Sequence, residues 1–103
     1  MKIIFLDGEK IVSPRDMYGS VREALGTNGL IGENLDALYD VLSTVGEEIG
    51  IIIVNTERLR GVPGIKWRGL LRMLEDLTAE NEKITVLVDP FGTDPFVEGF
   101  GDE

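Results

Sequence analysis

Three short apolar runs constrain the fold of this chain more than any other feature of its sequence. They lie at residues 3–6, 51–54 and 84–88, and β-branched residues dominate them. Runs of four or five residues that are apolar at nearly every position are typical of parallel strands buried on both faces. Long segments with helical spacing separate the runs, as right-handed βαβ connections require. The sequence therefore predicts an α/β fold with one small three-stranded parallel sheet.

The segment after the first run carries a turn signal and then a helix start. Asp7 and Gly8 predict a turn that folds residues 9–12 back as a brief hairpin. Ser13 as N-cap, with Pro14 at the first helical position, predicts that the first helix begins here.

A glycine-rich loop at residues 26–32 joins the first helix to the second. No strand precedes this loop and no Lys-Ser/Thr pair follows it, so it is not a phosphate-binding loop. Further along, the pattern predicts a single helical turn at residues 57–60. The longest helix is predicted at residues 65–81, with Trp67 on the stripe that faces the core.

The second helix carries the most informative surface of the chain. Asn34 is its predicted N-cap. Its core side is marked by leucines at helical spacing, namely Leu35, Leu38 and Leu42. Asp36 and Asp40 lie one turn apart on the opposite side, and Tyr39 falls at the boundary between the two faces. The helix is therefore predicted to present two carboxylates with an aromatic ring beside them.

The charge of the chain excludes whole classes of partner. It has 19 acidic and 10 basic residues, which gives a formal net charge of −9. Such a surface repels phosphate, which argues against nucleic acid and anionic membranes as partners. It favours a basic partner through electrostatic steering, although an acidic composition can also serve solubility alone. No base occurs between residues 23 and 57, so the second helix is predicted to lie in a negative patch.

Sequence patterns for catalysis and metal binding are missing. Without His and Cys, the chain can form neither a Ser-His-Asp triad nor a Cys-bearing metal site. Asp36 and Asp40 supply at most half of a Mg²⁺ or Ca²⁺ site, and no pattern makes them an acid–base pair for glycoside hydrolysis. We therefore expect a protein that is not an enzyme and needs no cofactor. No stretch approaches the ~20 apolar residues of a membrane span, so we expect a cytoplasmic location.

A resemblance to a known family rests on residues 32–42, Gly-Glu-Asn-Leu-Asp-Ala-Leu-Tyr-Asp-Val-Leu. This segment resembles the signature of the barstar family, the intracellular protein inhibitors of secreted bacterial ribonucleases. The opening residues 3–11 are similar to the family's first strand and turn, and residues 80–88 are similar to its last helix end and final strand. The predicted barstar-like domain covers residues 1–88, and residues 89–103 are expected to form an acidic tail.

The resemblance implies both a fold and a mode of binding. The fold is a three-stranded parallel sheet packed with three to four helices, which agrees with the pattern of apolar runs. Family members plug the active site of a basic nuclease with the second helix and the loop before it. The resemblance assigns partner contacts to these residues: Leu30, Ile31, Gly32, Asn34, Leu35, Asp36, Tyr39, Asp40 and Asp76. Glu75 replaces Asp76 if the register of the last helix shifts by one.

Departures from the family pattern bear on the identity of the target. Leu30 and Ile31 stand where the best-known member has tyrosines, and Tyr39 stands where Trp is usual. The sequence predicts an immunity-type inhibitor of a basic ribonuclease, or of a similar cationic toxin, that is a monomer when free. The alternative is a regulatory module of the same fold that binds a non-nuclease protein through its tail.

Overall fold

The computed structural model describes residues 1–26 and 32–89. These residues form one sheet of three parallel strands in the order β1-β2-β3, together with four helices. The strands are β1 (Lys2–Asp7), β2 (Ile49–Val54) and β3 (Ile84–Val88). The helices are α1 (Pro14–Leu25), α2 (Leu35–Ser43), α3 (Thr56–Arg60) and α4 (Trp67–Glu80). The predicted α/β class and the parallel sheet are confirmed.

The two helix starts predicted from capping residues lie where the sequence places them, but their caps differ. At α2, the side-chain oxygen of Asn34 accepts a hydrogen bond of 2.8 Å from the Ala37 amide. At α1, the Ser13 side chain makes no capping bond. Instead, the Asp16 carboxylate accepts a bond of 3.0 Å from the Val12 amide, which ties the chain before α1 to its first turn.

The hairpin predicted after β1 is wrong, because residues 8–10 form a compact turn and no strand follows them. The amides of Lys10 and Ile11 both donate to the Asp7 carbonyl oxygen at 3.0 Å. The Asp7 carboxylate accepts from the Asn55 side chain at 2.7 Å, and this bond, followed by one from the Glu9 amide, lowers the pKa of Asp7. The turn directs Ile11 into the core, where its side chain is buried.

Among the described residues, helices cover only one face of the sheet, so burial of the strands on both faces is predicted wrongly for β1 and β3. The covered face of the sheet joins α1, α2 and α4 in one apolar core. The other face leaves Ile3, Phe5 and Leu87 about half exposed. Only the central strand, β2, is buried along nearly its whole length.

Gly8 marks the tightest backbone approach in this part of the molecule. Its amide donates to the Val54 carbonyl oxygen at 3.0 Å, which continues the β1–β2 pairing beyond the strands. A Cβ atom at this position would collide with the Asn55 carbonyl oxygen and lie 2.9 Å from the Leu59 amide nitrogen. Both obstacles are backbone atoms, which cannot rotate away.

We predict that Gly8→Ala lowers the free energy of unfolding by about 1–3 kcal/mol, because the added methyl group forces the backbone apart. Urea unfolding followed by circular dichroism measures this change. Gly19→Ala is the matched control, because a Cβ at this position of α1 would meet only the end of the flexible Arg22 side chain, at 3.9 Å. The control is expected to raise stability by about 0.5–1 kcal/mol, since alanine favours a helix interior. Equal stability of the two variants would contradict the steric argument.

Candidate protein-binding site

The site is built on two helices, α2 and α4, that lie side by side and run in the same direction. Near their amino ends, a Cβ at Gly69 would lie 3.2 Å from a Leu35 methyl carbon, so the missing side chain permits a close approach. Near their carboxyl ends, the Asn81 side chain donates to the Val45 carbonyl oxygen at 3.4 Å. The two helices are therefore in contact near both of their ends.

A groove of ≈ 420 Å³ follows the seam between these helices on the outer surface. It is lined by Leu35, Asp36, Tyr39, Asp40, Gly69, Arg72, Met73 and Asp76. Asp36 and Asp40 come from α2 and Asp76 comes from α4, and all three residues are exposed. The structure thus brings together carboxylates that lie far apart in the sequence, on a surface open to a partner.

Tyr39 is held in place at both ends of its side chain. Its ring packs against the apolar core, while its hydroxyl group donates a hydrogen bond of 2.5 Å to the Glu80 carboxylate on α4. This bond is the main cause that raises the pKa of Tyr39 to about 12, with smaller contributions from desolvation and from the charges of Glu80, Asp76 and Asp40. The bond also links α2 to α4 across the groove.

The remaining predicted contact residues occupy different positions. Gly32 and Asn34 are exposed at the start of α2, where Asn34 acts as the cap. Leu30 and Ile31 lie outside the described residues. On α4, Asp76 lines the groove and Glu75 is not among the lining residues.

The sequence reasoning missed Arg72, which lines the groove, and Glu80, which accepts the hydrogen bond from Tyr39. They flank Asp76 at four residues on either side, which places all three on one stripe of α4. The four-residue spacing of Arg72, Asp76 and Glu80 is visible in the sequence. The direction in which this stripe faces depends on how α4 packs on α2. Arg72 gives the groove a basic residue among its acids.

A second hollow of ≈ 450 Å³ adjoins the groove at the start of α2 and shares Leu35 and Asp36 with it. Its apolar lining includes Met17, Tyr18 and Leu70. Burial raises the pKa of Tyr18, with a smaller effect from the nearby Glu33 charge. The hollow continues the concave surface from α2 toward α1.

Two negative findings apply to residues 1–26 and 32–89. No helix in this part of the chain is long and apolar enough to cross a membrane. The same residues contain no group of three or more acidic side chains placed to hold a metal ion.

The fold and the groove define a small acidic α/β protein whose helix pair presents carboxylates on an open surface. The chain belongs to the barstar family: the family described as Barstar (barnase inhibitor) matches residues 1–89. The resemblance found in the sequence is thereby confirmed. None of the curated proteins compared with the chain matches it.

We predict that Tyr39 ionises near pH 12 and that Glu80→Gln brings its pKa back toward 10. The absorbance of tyrosinate during a pH titration measures this shift, in a Tyr18→Phe background that leaves Tyr39 as the only tyrosine. Because the pKa is raised in the folded state, the associated stability is fully present below pH 10 and is lost as the pH rises through 12.

The control for this titration is Glu75→Gln, which removes a charge from the same helix without touching the Tyr39 hydroxyl group. Its titration curve should coincide with that of the parent protein. An equal shift in both variants would mean that general charge, and not the Tyr39–Glu80 hydrogen bond, sets the pKa.

Proposed function

We propose that this protein inhibits a basic, barnase-type ribonuclease by placing the carboxylates of α2 in the nuclease's phosphate-binding site. The observation that carries the proposal is that Asp36, Asp40 and Asp76, from two helices, line one exposed groove. The printed description of the family, Barstar (barnase inhibitor), supports the same function.

Electrostatics explain why such a groove suits a ribonuclease. An enzyme that cleaves RNA must hold phosphate groups with cationic side chains, and carboxylates complement that charge. Asp36 and Asp40 offer negative charge on a helix that contains no bond the nuclease can cleave. Complementary charge steers the two proteins together, and close charge pairs slow their dissociation.

The backbone of α2, which carries Asp36 and Asp40, is held in place before any partner arrives. Leu38 and Leu42 are buried in the core beneath the helix, and the Asn34 cap fixes its first turn. Little conformational freedom then has to be lost on binding, which favours a tight complex. Tyr39, fixed by the core and by Glu80, offers an aromatic contact of the kind that dominates many interfaces.

The proposed inhibitor is a cytoplasmic immunity protein that is a monomer when free and protects the cell that makes the nuclease. The rival hypothesis, a regulatory module that docks through its tail, depends on residues 89–103. Of these, Asp89 alone belongs to the described part of the chain.

We predict that Asp36→Asn and Asp40→Asn each weaken inhibition of a barnase-type ribonuclease by about 30-fold or more. This corresponds to about 2 kcal/mol, the usual threshold for a residue that dominates an interface. Titration of the inhibitor against RNA cleavage measures the change. Asp76→Asn, at the edge of the groove, should cost less, about 2–5-fold.

Glu75→Gln is the matched control for these variants, because Glu75 is exposed on α4 but does not line the groove. It should leave the inhibition constant unchanged within about twofold. The plug mechanism also requires that a nucleotide bound in the nuclease's active site compete with the inhibitor. A parent protein that binds the nuclease equally well with and without saturating nucleotide would refute it.

We further predict that the association rate falls at least tenfold between about 0.01 M and 0.5 M salt, because salt screens the charges that steer the encounter. Stopped-flow fluorescence with Trp67 as the probe measures the rate. The dissociation rate should change far less, since contacts that are already desolvated are weakly screened. An association rate insensitive to salt would contradict a role for the acidic groove in recognition.

A further inference from the structure

One basic residue stands among the acids of the α2–α4 groove. Arg72 lines the groove together with Asp36, Asp40 and Asp76, and it is exposed. Among residues 1–26 and 32–89, the ion pairs within 4.0 Å join other residues, and the Arg72 guanidinium group has no hydrogen-bond partner. The groove of the free protein therefore presents an unpaired cation beside three carboxylates.

Binding of a partner in the groove changes the surroundings of Arg72. A partner that covers Asp36, Asp40 and Asp76 also covers Arg72, which lies one helical turn before Asp76 on α4. A guanidinium group keeps its charge at any pH that a folded protein tolerates, so it cannot become neutral when water leaves. A charge that is buried without a partner is strongly unfavourable. Arg72 therefore needs an anionic group beside it within the complex.

Asp76 is a poor candidate for that role, although it lies four residues after Arg72. The basic residue precedes the acidic one, which is the weaker order for ion pairs on a helix. No ion pair joins these two described residues in the free protein. A bond to Arg72 would also neutralise part of the charge that Asp76 offers to a cationic nuclease, and the same holds for Asp36 and Asp40. The remaining source of an anionic group is the partner.

We propose that Arg72 is a specificity-determining residue, and that the target ribonuclease carries a carboxylate side chain beside its phosphate-binding site that pairs with Arg72. The pairing rests on the proposed function, in which the nuclease active site lies over the groove. A planar guanidinium group forms two parallel hydrogen bonds with such a carboxylate. Ribonucleases with a lysine or arginine at this point are rejected by repulsion between like charges.

The sign of a charge reversal tests the pairing. Arg72→Glu makes the groove more acidic, so a nuclease that responds only to negative charge would bind the variant more tightly. A carboxylate opposite Arg72 reverses this expectation. Against the barnase-type ribonuclease that the parent protein inhibits, we expect Arg72→Gln to weaken inhibition about tenfold, and Arg72→Glu about 100-fold or more. Titration of each variant against RNA cleavage measures the inhibition constants.

Arg68→Glu is the matched control, because Arg68 is exposed one turn earlier on α4 and does not line the groove. Both substitutions change the net charge by the same amount, so the control measures long-range attraction alone. It should leave inhibition unchanged or tighten it by up to about threefold. Binding that tightens in both variants, or that is unaffected by Arg72→Glu, would overturn the pairing.

The free protein supplies a second readout. Because no ion pair joins Arg72 to the described carboxylates, Arg72→Gln should leave the urea midpoint of unfolding unchanged. A lower midpoint would mean that Arg72 serves the fold, and it would overturn the pairing.

The aspartate variants separate the failure of the pairing from the failure of the proposed function. If Asp36→Asn and Asp40→Asn weaken inhibition while Arg72→Glu strengthens it, the proposed function stands and the pairing fails. If the aspartate variants have no effect, the proposed function fails and the pairing fails with it.

Discussion

The close packing of α2 against α4 decides what this molecule can present to a partner. Leu38 and Leu42 attach α2 to the core, and Gly69 lets α4 approach until its backbone is almost in contact with Leu35. The face of α2 that carries the carboxylates therefore points outward, toward solvent. A larger side chain at position 69 would separate the helices and with them the two halves of the groove.

Local sequence signals predicted the elements of the fold well, because those signals act within a few residues. Asn34 caps α2 through the amide three residues ahead, and this contact needs no knowledge of the rest of the chain. The parallel strands were likewise visible as apolar runs. The prediction of a hairpin after β1 is wrong because Ile11 is buried in the core instead of pairing with β1. A turn signal of two residues carries no information about that packing.

Features that depend on distant contacts could not be read in the same way. The runs at β1 and β3 are apolar on both faces, so their periodicity does not tell a covered face from an open one. Asp89 is buried because Thr56, 33 residues earlier in the chain, donates a hydrogen bond to it. The groove was predicted only in part, since the α2 carboxylates have a clear motif while Arg72 and Glu80 depend on how α4 is turned.

The bond from Tyr39 to Glu80 has a consequence for the hydrogen-bonding character of the groove. A tyrosine hydroxyl group has one proton to give, and here Glu80 already receives it. Toward a partner, the Tyr39 oxygen can therefore act only as an acceptor, as ionised Asp36 and Asp40 do. A partner that satisfies this part of the surface must bring N–H or O–H groups in excess, because Arg72 is the one side chain among those lining the groove that can donate hydrogen bonds to it.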